Sequence, residues 1–316
     1  MKILVTGASG FVGRCLCENL TKRGHLVTAS VRSSETPPIE NISSSIVVGD
    51  LGPDTDWTKA LRNQEAVIHL AARTHVMSET ASNPEAEYLH VNVESTKRLI
   101  HQMSEQNVSR FIFMSSVKVN GEQTTVQPYS ESQPSQPEDA YGRTKHQTEL
   151  LISNRPDLKS TIIRSPLVYG PGVKGNFLKL IQLSERGLPL PIGIIKNKRS
   201  LIFLENLVDA VIQSLENNAA IGQTYLVSDN ADISTPELFR AVGNALNKPT
   251  RLFPFPVFLL RLAGLLFGKS GAIRRLAGSL RVDCNKIHKE LGWKPPFSLQ
   301  QGLDKTVIWY QNQSKQ

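Results

Sequence analysis

Three glycines near the start of the chain, Gly7, Gly10 and Gly13, most constrain how it can fold. They follow the apolar run Ile3–Thr6 and open the helical pattern Gly10–Arg23, so they predict a tight strand-to-helix turn. In such a turn the glycines allow the bend, the close approach of a diphosphate and the packing of helix on strand. The diphosphate would lie at the helix N-terminus. The pattern predicts a dinucleotide site; the alternative is a glycine-rich turn without a ligand.

Short apolar runs rich in β-branched residues alternate with helical patterns through the first half of the chain. This alternation predicts βαβ units, because parallel strands need a crossover connection. We expect an α/β fold, a doubly wound parallel sheet of the Rossmann type with a smaller, mostly helical substrate-binding cap. The predicted strands are Ile3–Thr6, Leu26–Val31, Ile46–Val48, Ala66–Ala71, Phe111–Ser115 and Thr161–Arg164. The predicted helices are Gly10–Arg23, Pro84–Gln106, Asp139–Ser153, Phe177–Arg186, Glu237–Asn247 and Ser298–Tyr310.

A loop-rich stretch follows Arg164, where glycines and prolines interrupt the regular alternation. We therefore expect a dinucleotide-binding domain at residues 1–165 plus about 198–228, and a cap at about 166–197 plus 229–316. Within the first domain, Ser200–Leu215 reads as one more strand and helix that return to the main sheet.

The composition limits the partners of this chain. It has 316 residues and a net charge of +8, from 36 Lys or Arg and 28 Asp or Glu. Cys15, Cys17 and Cys284 match neither a disulfide framework nor a zinc site, so we expect no metal and a reducing, cytoplasmic location. No zinc-finger or RNA-binding aromatic motif accompanies the basic residues, which argues against a nucleic-acid partner.

The most apolar stretch is Leu252–Gly268, which Pro254, Pro256 and Arg261 interrupt. It is shorter than the roughly 20 residues that a membrane-spanning helix needs. One interpretation is a buried helix of the cap. The other is a flap on the inner face of the cytoplasmic membrane, because residues 251–294 contain nine Lys or Arg against two acidic residues.

The end of the second strand bears on the choice of cofactor. In dinucleotide-binding folds an acidic residue commonly stands there and binds the ribose 2′-hydroxyl of NAD. Here the strand ends in Val31-Arg32 instead. Because a guanidinium can bind the 2′-phosphate of NADP(H), this residue favours NADP(H) over NAD(H). The alternative is that Arg32 is a solvated surface arginine. After the third strand, Asp50-Leu51 would contact the adenine, or Asp50 would serve a turn.

Candidate catalytic residues lie at the end of the fifth strand and in the helix that follows it. Tyr141 and Lys145 have the i, i+4 spacing that places them on one helix face, and the cation would lower the pKa of the phenol toward a working acid/base range. Ser116 ends the fifth strand, at the sheet edge where such folds bind ligands. Its hydroxyl would hold a carbonyl oxygen. Alone, the Tyr–Lys spacing is also typical of a surface pair.

In this order the motifs resemble the extended short-chain dehydrogenase/reductase family: GASGFVG, GDL, HLAA, FIFMSS, YGRTK, RSPLVYGPG, RSLIFLENLVDA and LGWKP. The resemblance covers the whole chain. It implies that Ser116, Tyr141 and Lys145 move a proton at a sugar oxygen while hydride passes to or from nicotinamide. It also implies that Asn176 and Arg199 hold a UDP-sugar, and that the protein is a homodimer. The predicted cofactor contacts are Gly7, Ser9, Gly10, Phe11, Val12, Gly13, Arg32, Asp50, Leu51, Leu70, Ala71, Ala72, Tyr141 and Lys145, of which Arg32 departs from the acid that many relatives have.

Within that family, HLAARTHVM, SSVKVNGE and PLVYGPGVKGNFLKL resemble the reductases that form UDP-N-acetylquinovosamine for surface polysaccharides and the related UDP-hexose 4-epimerases. Val117 and Lys118 stand where the nucleotide-sugar dehydratases have an Asp-Glu pair, so dehydration is not expected. Three functions stay open. The first is NADPH-dependent reduction of a UDP-4-keto-6-deoxy-N-acetylhexosamine, the second is 4-epimerisation of UDP-glucose or UDP-N-acetylglucosamine with bound NAD, and the third is cofactor binding without turnover.

Overall fold

The computed structural model of the protein describes residues 1–74, 83–268 and 270–313. Within them a main sheet of seven parallel strands has the order β3-β2-β1-β4-β5-β6-β9, and β7 and β8 form a separate parallel pair. The predicted doubly wound sheet is confirmed. The strands are β1 Lys2–Thr6, β2 Leu26–Val31, β3 Ser44–Val47, β4 Ala66–His69, β5 Arg110–Ser116, β6 Lys159–Ser165, β7 Leu167–Tyr169, β8 Leu201–Phe203 and β9 Gln223–Leu226.

Helices cover both faces of the main sheet, which explains why its strands are apolar on both sides. The helices are α1 Phe11–Lys22, α2 Thr58–Leu61, α3 Pro84–Tyr88, α4 Ser95–Glu105, α5 Ala140–Ser153, α6 Gly175–Glu185, α7 Leu204–Glu216, α8 Thr235–Ala245, α9 Val257–Leu266, α10 Ser270–Ala277, α11 Asn285–Leu291 and α12 Leu299–Gln313. Helices α1 and α7 share one core with Ile3 and Val5 of β1. Helices α2, α4 and α5 share another with Leu4, whose side chain points to the opposite face.

The strand order creates the binding edge. The chain runs outward from β1 to β3 and then returns to place β4 on the other side of β1. Ligands of open α/β sheets bind at the carboxyl ends of the strands beside such a reversal. Gly7 follows β1 at this edge, and Leu70 follows β4.

Two sequence predictions about the elements differ from the structure. The strand in Ser200–Leu215 does not return to the main sheet, because β8 pairs with β7 instead. A buried carboxylate favours this arrangement: Asp229 accepts hydrogen bonds from the Phe203 backbone N–H at 2.8 Å and from the Tyr169 hydroxyl at 2.7 Å. The last place in the sheet belongs to β9, which was not predicted. The predicted helix Pro84–Gln106 contains a π-helical turn, Leu89–Glu94.

The cap has a core of its own, formed by β7, β8, α6, α8 and α12. Helix α9, in the predicted apolar stretch Leu252–Gly268, contacts a smaller cluster and leaves several large apolar side chains exposed. The prediction of a buried cap helix is therefore wrong for the outer face of α9. In the part of the chain that the structure describes, no helix has the length and apolar character needed to cross a bilayer.

Candidate active site

The turn between β1 and α1 is built so closely that only glycine fits it. Gly7 has a positive φ of 67°, and its carbonyl accepts a hydrogen bond from the Gly10 N–H at 3.0 Å. A Cβ at Gly13 would lie 2.2 Å from the Gly7 carbonyl oxygen. Gly10 caps α1 without a side-chain hydrogen bond, and the first turn of α1 carries no acidic residue. The first N–H groups of α1 are thus left for an anion such as a diphosphate.

A cavity of about 470 Å³ adjoins this turn. It brings together Gly7 and Ser9 after β1, Ala71 after β4, and the segments after β2 and β3. The remaining lining residues are Ser30, Val31, Arg32, Ser33, Glu35, Thr36, Val48, Gly49 and Leu51. The glycine cradle and the cavity fit the diphosphate and the adenosine of a dinucleotide. Leu70 and Ala72 flank Ala71, whereas residues 75–77 of the HLAARTHVM motif lie outside the described residues.

Arg32 lies at the rim of this cavity, directly after β2. Its side chain is 79% exposed, and its Nε is 3.2 Å from Oδ1 of Asp50, which is 89% exposed. An exposed ion pair of this kind is worth at most about 1 kcal/mol, so it would not prevent the guanidinium from turning to a phosphate. The adenine contact of Asp50 stays a prediction.

The end of β5 and the start of α5 are packed tightly against each other. Ser116 ends β5, and its Oγ accepts a hydrogen bond from the Lys118 N–H at 3.3 Å. Asp139 caps α5 by accepting from the Gly142 N–H at 2.7 Å. A Cβ at Gly142 would lie 2.7 Å from the Lys118 carbonyl oxygen. This close contact brings the turn after Ser116 to the helical turn that carries Tyr141.

Lys145 lies one helical turn after Tyr141, on the same face of α5. Its Nζ donates a hydrogen bond to the Met114 carbonyl at 2.7 Å, and lies 5.9 Å from the Tyr141 ring centroid and 4.4 Å from that of Phe113. Burial lowers the pKa of Lys145 to about 7, and the charge of Glu149 opposes this shift. The predicted proximity of phenol and ammonium is therefore present.

The predicted effect of Lys145 on Tyr141 is wrong in this structure. Burial raises the pKa of Tyr141 above its ordinary value, with smaller contributions from Asp139 and Tyr88. The cost of desolvating a phenolate outweighs the attraction of the neighbouring ammonium. Burial also favours the neutral form of Lys145, and its Nζ donates a hydrogen bond to the Met114 carbonyl. The spacing indicated that the pair exists, but the spacing could not indicate its burial.

A buried polar network that the sequence did not predict lies beside the Tyr–Lys pair. Glu149, one turn beyond Lys145, accepts from the Ser115 hydroxyl at 2.5 Å and from Arg164 Nε at 3.0 Å and Nη2 at 2.5 Å. Arg164 also donates to Asn120 Oδ1 at 3.1 Å. The network joins α5 to the ends of β5 and β6. The only available signal was the i, i+4 spacing of Glu149 from Lys145.

Of the two predicted substrate residues, Asn176 lies in α6, in the predicted cap, and Arg199 lies just before β8, in the range predicted for the dinucleotide-binding domain. Arg199 donates through Nη1 to the carbonyls of Arg275 at 2.9 Å and Gly278 at 3.2 Å, and burial lowers its pKa. Asn176 is exposed in the first turn of α6. Neither residue lines the cavity at Gly7.

Among the described residues, no group of His, Cys, Asp and Glu is arranged to hold a metal ion.

Replacing Lys145 by Met is expected to reduce the pH dependence of stability. The pKa of Lys145 is about 7 in the folded protein, against about 10.4 in an unfolded chain. Between these values the unfolded chain binds more protons, so this group makes stability rise with pH. We expect the free energy of unfolding of the wild type, minus that of K145M, to increase by about 1 kcal/mol per pH unit between about pH 7 and pH 10.

Urea unfolding of the cofactor-free proteins across this pH range measures the difference. The exposed Lys59 in α2 provides the control, because K59M should keep the pH dependence of the wild type. A constant difference between wild type and K145M would contradict the depressed pKa of Lys145.

Comparisons with known proteins agree with this geometry. Residues 3–228 match the model of the NAD dependent epimerase/dehydratase family. The chain is 42% identical to a UDP-glucose 4-epimerase of Vibrio cholerae over 96% of this chain and 94% of the relative. It is 27% identical to an N-acetyl-alpha-D-glucosaminyl-diphospho-ditrans,octacis-undecaprenol 4-epimerase of Escherichia coli O157:H7, over 96% and 94% of the two chains.

A solved structure of MoeE5 in complex with UDP-glucose and NAD is 25% identical, with a TM-score of 0.78 over 99% of this chain and 100% of that one. The family model covers most of the main sheet, and the Vibrio cholerae relative extends the match to nearly the whole length. The protein is therefore a nicotinamide-dependent enzyme, and its chain belongs to the NAD dependent epimerase/dehydratase family.

Proposed function

We propose that the protein transfers hydride at C4 of a UDP-linked sugar. The observation that carries this proposal is the position of Ser116, Tyr141 and Lys145, at the same carboxyl edge of the sheet as the glycine cradle. The UDP-sugar is supported by the Vibrio cholerae relative, named a UDP-glucose 4-epimerase, and by the UDP-glucose bound to MoeE5. We assign the diphosphate of the sugar to Arg199 and the start of α6 at Asn176.

The side chains have separate tasks in this reaction. A bound nicotinamide nucleotide supplies or accepts the hydride. The Tyr141 hydroxyl gives or takes the proton at the C4 oxygen, and the Ser116 hydroxyl donates a hydrogen bond to the same oxygen. Lys145, when protonated, favours the phenolate of Tyr141 and so opposes the effect of burial. The raised pKa of Tyr141 keeps its proton available for reduction at neutral pH.

We infer reduction of a UDP-4-keto-6-deoxy-N-acetylhexosamine by NADPH, where the sugar rests on the sequence resemblance and the choice of NADPH rests on Arg32. Arg32 stands at the cavity rim where a 2′-phosphate would lie, and β2 ends without an acidic residue. A guanidinium binds a phosphate through charge-assisted hydrogen bonds, whereas an acid would repel it. A reductase must exchange its oxidised cofactor after each turnover, which suits a free NADPH pool.

The second candidate is reversible 4-epimerisation of UDP-glucose or UDP-N-acetylglucosamine. The 42% identity to the Vibrio cholerae UDP-glucose 4-epimerase favours it, and so does the NAD in the MoeE5 complex. An epimerase returns the hydride to the sugar that gave it, so it needs no exchange of cofactor. The same Tyr141 and Ser116 would serve both directions of transfer.

One experiment distinguishes the two reactions. The purified protein is incubated with the 4-keto sugar nucleotide plus NADPH and, separately, with UDP-glucose and with UDP-N-acetylglucosamine. Stoichiometric loss of NADPH absorbance with the keto sugar, together with the reduced sugar in the product, supports the reductase. The 4-epimer appearing without net change of cofactor would establish the epimerase, and absence of both reactions would contradict the C4 proposal.

The preference for NADP(H) has its own test. Replacing Arg32 by Asp is expected to weaken NADPH affinity by at least about tenfold, because two charge-assisted hydrogen bonds are lost and a repelling charge is added. Affinity for NADH should stay the same or increase. Fluorescence titration of both cofactors measures the change, with Arg62→Asp at an exposed site as the control. Tighter binding of NADH than NADPH by the wild type would overturn the preference.

A further inference from the structure

The helices α9 and α10 form a hairpin on the surface of the cap. On its inner side, Val257 and Leu260 of α9 pack against a small cluster that contains Ile192 and Phe239. Gly264 lets α10 approach closely, because a Cβ there would lie 2.8 Å from Cγ1 of Ile273. None of the described residues of α10 is buried. The hairpin is therefore attached to the cap by one side only.

The outer side of α9 exposes a continuous apolar surface. Its residues follow the spacing i, i+4, i+7 and i+8, which places them on one face of the helix. The exposed fractions are 68% for Phe258, 51% for Leu262, 68% for Leu265, 76% for Leu266 and 77% for Phe267 just after the helix. Single exposed apolar residues are ordinary, but a contiguous patch of large ones indicates a binding surface.

The charges around this patch indicate what it binds. Residues 251–282 contain six Lys or Arg and no Asp or Glu. Arg274 forms ion pairs with Glu122 at 3.1 Å and Glu138 at 3.3 Å, whereas Arg251, Arg261 and Arg275 are exposed. An apolar helix face bordered by cations matches the surface of an anionic bilayer, with acyl chains below and phosphates above.

A second copy of the chain fits this surface less well. A two-fold interface would place each patch against itself, so the exposed cations of the two copies would face each other. Helix α9 itself is too short to span a bilayer, because its ten residues extend only about 15 Å. We propose that the outer face of α9 and the arginines around it bind the surface of an anionic lipid bilayer, with α9 lying parallel to it.

This attachment would place the catalytic machinery near the bilayer. Arg274 of the hairpin binds Glu122, and Glu122 is 3.3 Å from Lys118 in the turn after Ser116. Lys118 in turn pairs with Asp139, the cap of α5. The inference does not depend on whether the reaction is reduction or epimerisation, because it concerns a surface outside the cofactor cavity.

Sedimentation with lipid vesicles tests the proposal. One set of vesicles is phosphatidylcholine alone, and the other is phosphatidylcholine mixed with phosphatidylglycerol. We expect the wild-type protein to bind the anionic vesicles several-fold more tightly. Removing three outward-facing apolar side chains together, F258S, L262S and L266S, should weaken this binding by at least about tenfold.

Two further variants separate the apolar and electrostatic contributions. The matched control combines V126S, L188S and I308S, which are 77%, 50% and 57% exposed elsewhere on the surface, and should bind as the wild type does. The charge variant combines R251Q, R261Q and R275Q and should lose about fivefold in affinity for each cation, with the loss disappearing at high salt. Circular dichroism and cofactor binding confirm that each variant is folded.

Two outcomes would overturn the proposal. One is vesicle binding that is absent, or equal for the wild type, the control and the α9 variant. The other is a wild type that sedimentation velocity shows to be a dimer and an α9 variant that is a monomer, because a second copy would then cover the patch. Turnover is measured on the same samples, so a failure of the proposed C4 chemistry is distinguished from a failure of membrane binding.

Discussion

Replacing Tyr141 by Phe is expected to lower turnover by about 10²- to 10⁴-fold, because the proton donor at the C4 oxygen is removed. The ring and its packing remain, since only the hydroxyl is lost. Affinity for the cofactor should therefore change by less than about twofold, a free-energy difference below roughly 0.5 kcal/mol. Steady-state rates and a fluorescence titration of the cofactor measure the two quantities.

The neighbouring Tyr88 supplies a matched control for this prediction. Its ring lies 6.4 Å from that of Tyr141, centroid to centroid, and its hydroxyl donates a hydrogen bond to the Thr74 carbonyl at 2.8 Å. Tyr88→Phe should remove only that hydrogen bond, so the variant should keep most of the wild-type turnover rate. Equal rates for Y141F and the wild type would show that Tyr141 is not the proton donor.

The second large effect concerns the buried ion pair between Glu149 and Arg164. Both side chains are less than 10% exposed, and the guanidinium contacts the carboxylate through two nitrogen atoms. Replacing Glu149 by Leu leaves a buried charge without its partner and takes the acceptor from Ser115. We expect the free energy of unfolding to fall by about 3–5 kcal/mol, which is a large part of the stability of a typical domain.

A double-mutant cycle separates the loss of the pair from the loss of the side chains. Combining Glu149→Leu with Arg164→Leu removes both charges, so the double variant should be more stable than either single variant. Urea unfolding of the four proteins gives the comparison. Where E149L does not fold, the milder E149Q provides the single variant. Simple additivity of the two losses would contradict an energetic coupling between these residues.

Local patterns were sufficient for the strand-to-helix turn at Gly7 and for the faces of α5. Glycines with positive φ or forbidden Cβ positions leave a sequence signal, as Gly7 and Gly13 do. The i, i+4 spacing likewise places Tyr141 and Lys145 together in any helix. Such features depend on neighbours in the chain. For the same reason the alternation of strands and helices predicted the doubly wound sheet.

Features that depend on distant parts of the chain were not predicted. The pairing of β8 with β7 is favoured by Asp229, which lies 26 residues after Phe203 and accepts a hydrogen bond from its backbone N–H. Whether the outer face of α9 is buried or exposed could not be decided from the sequence, because an apolar run has the same composition whether protein, lipid or water covers it. Each outcome depends on which surfaces meet after folding.

The sequence by itself determined the order of the elements, the glycine cradle and the residues that stand at the edge of the sheet. These follow from local backbone geometry and helical or strand periodicity. The tertiary structure alone decided the burial of Lys145 and the desolvation of the partly buried Tyr141, and with them the direction of both pKa shifts. It also decided the partners of Glu149. Desolvation and buried ion pairs depend on atoms brought together from separate segments, and no local pattern records them.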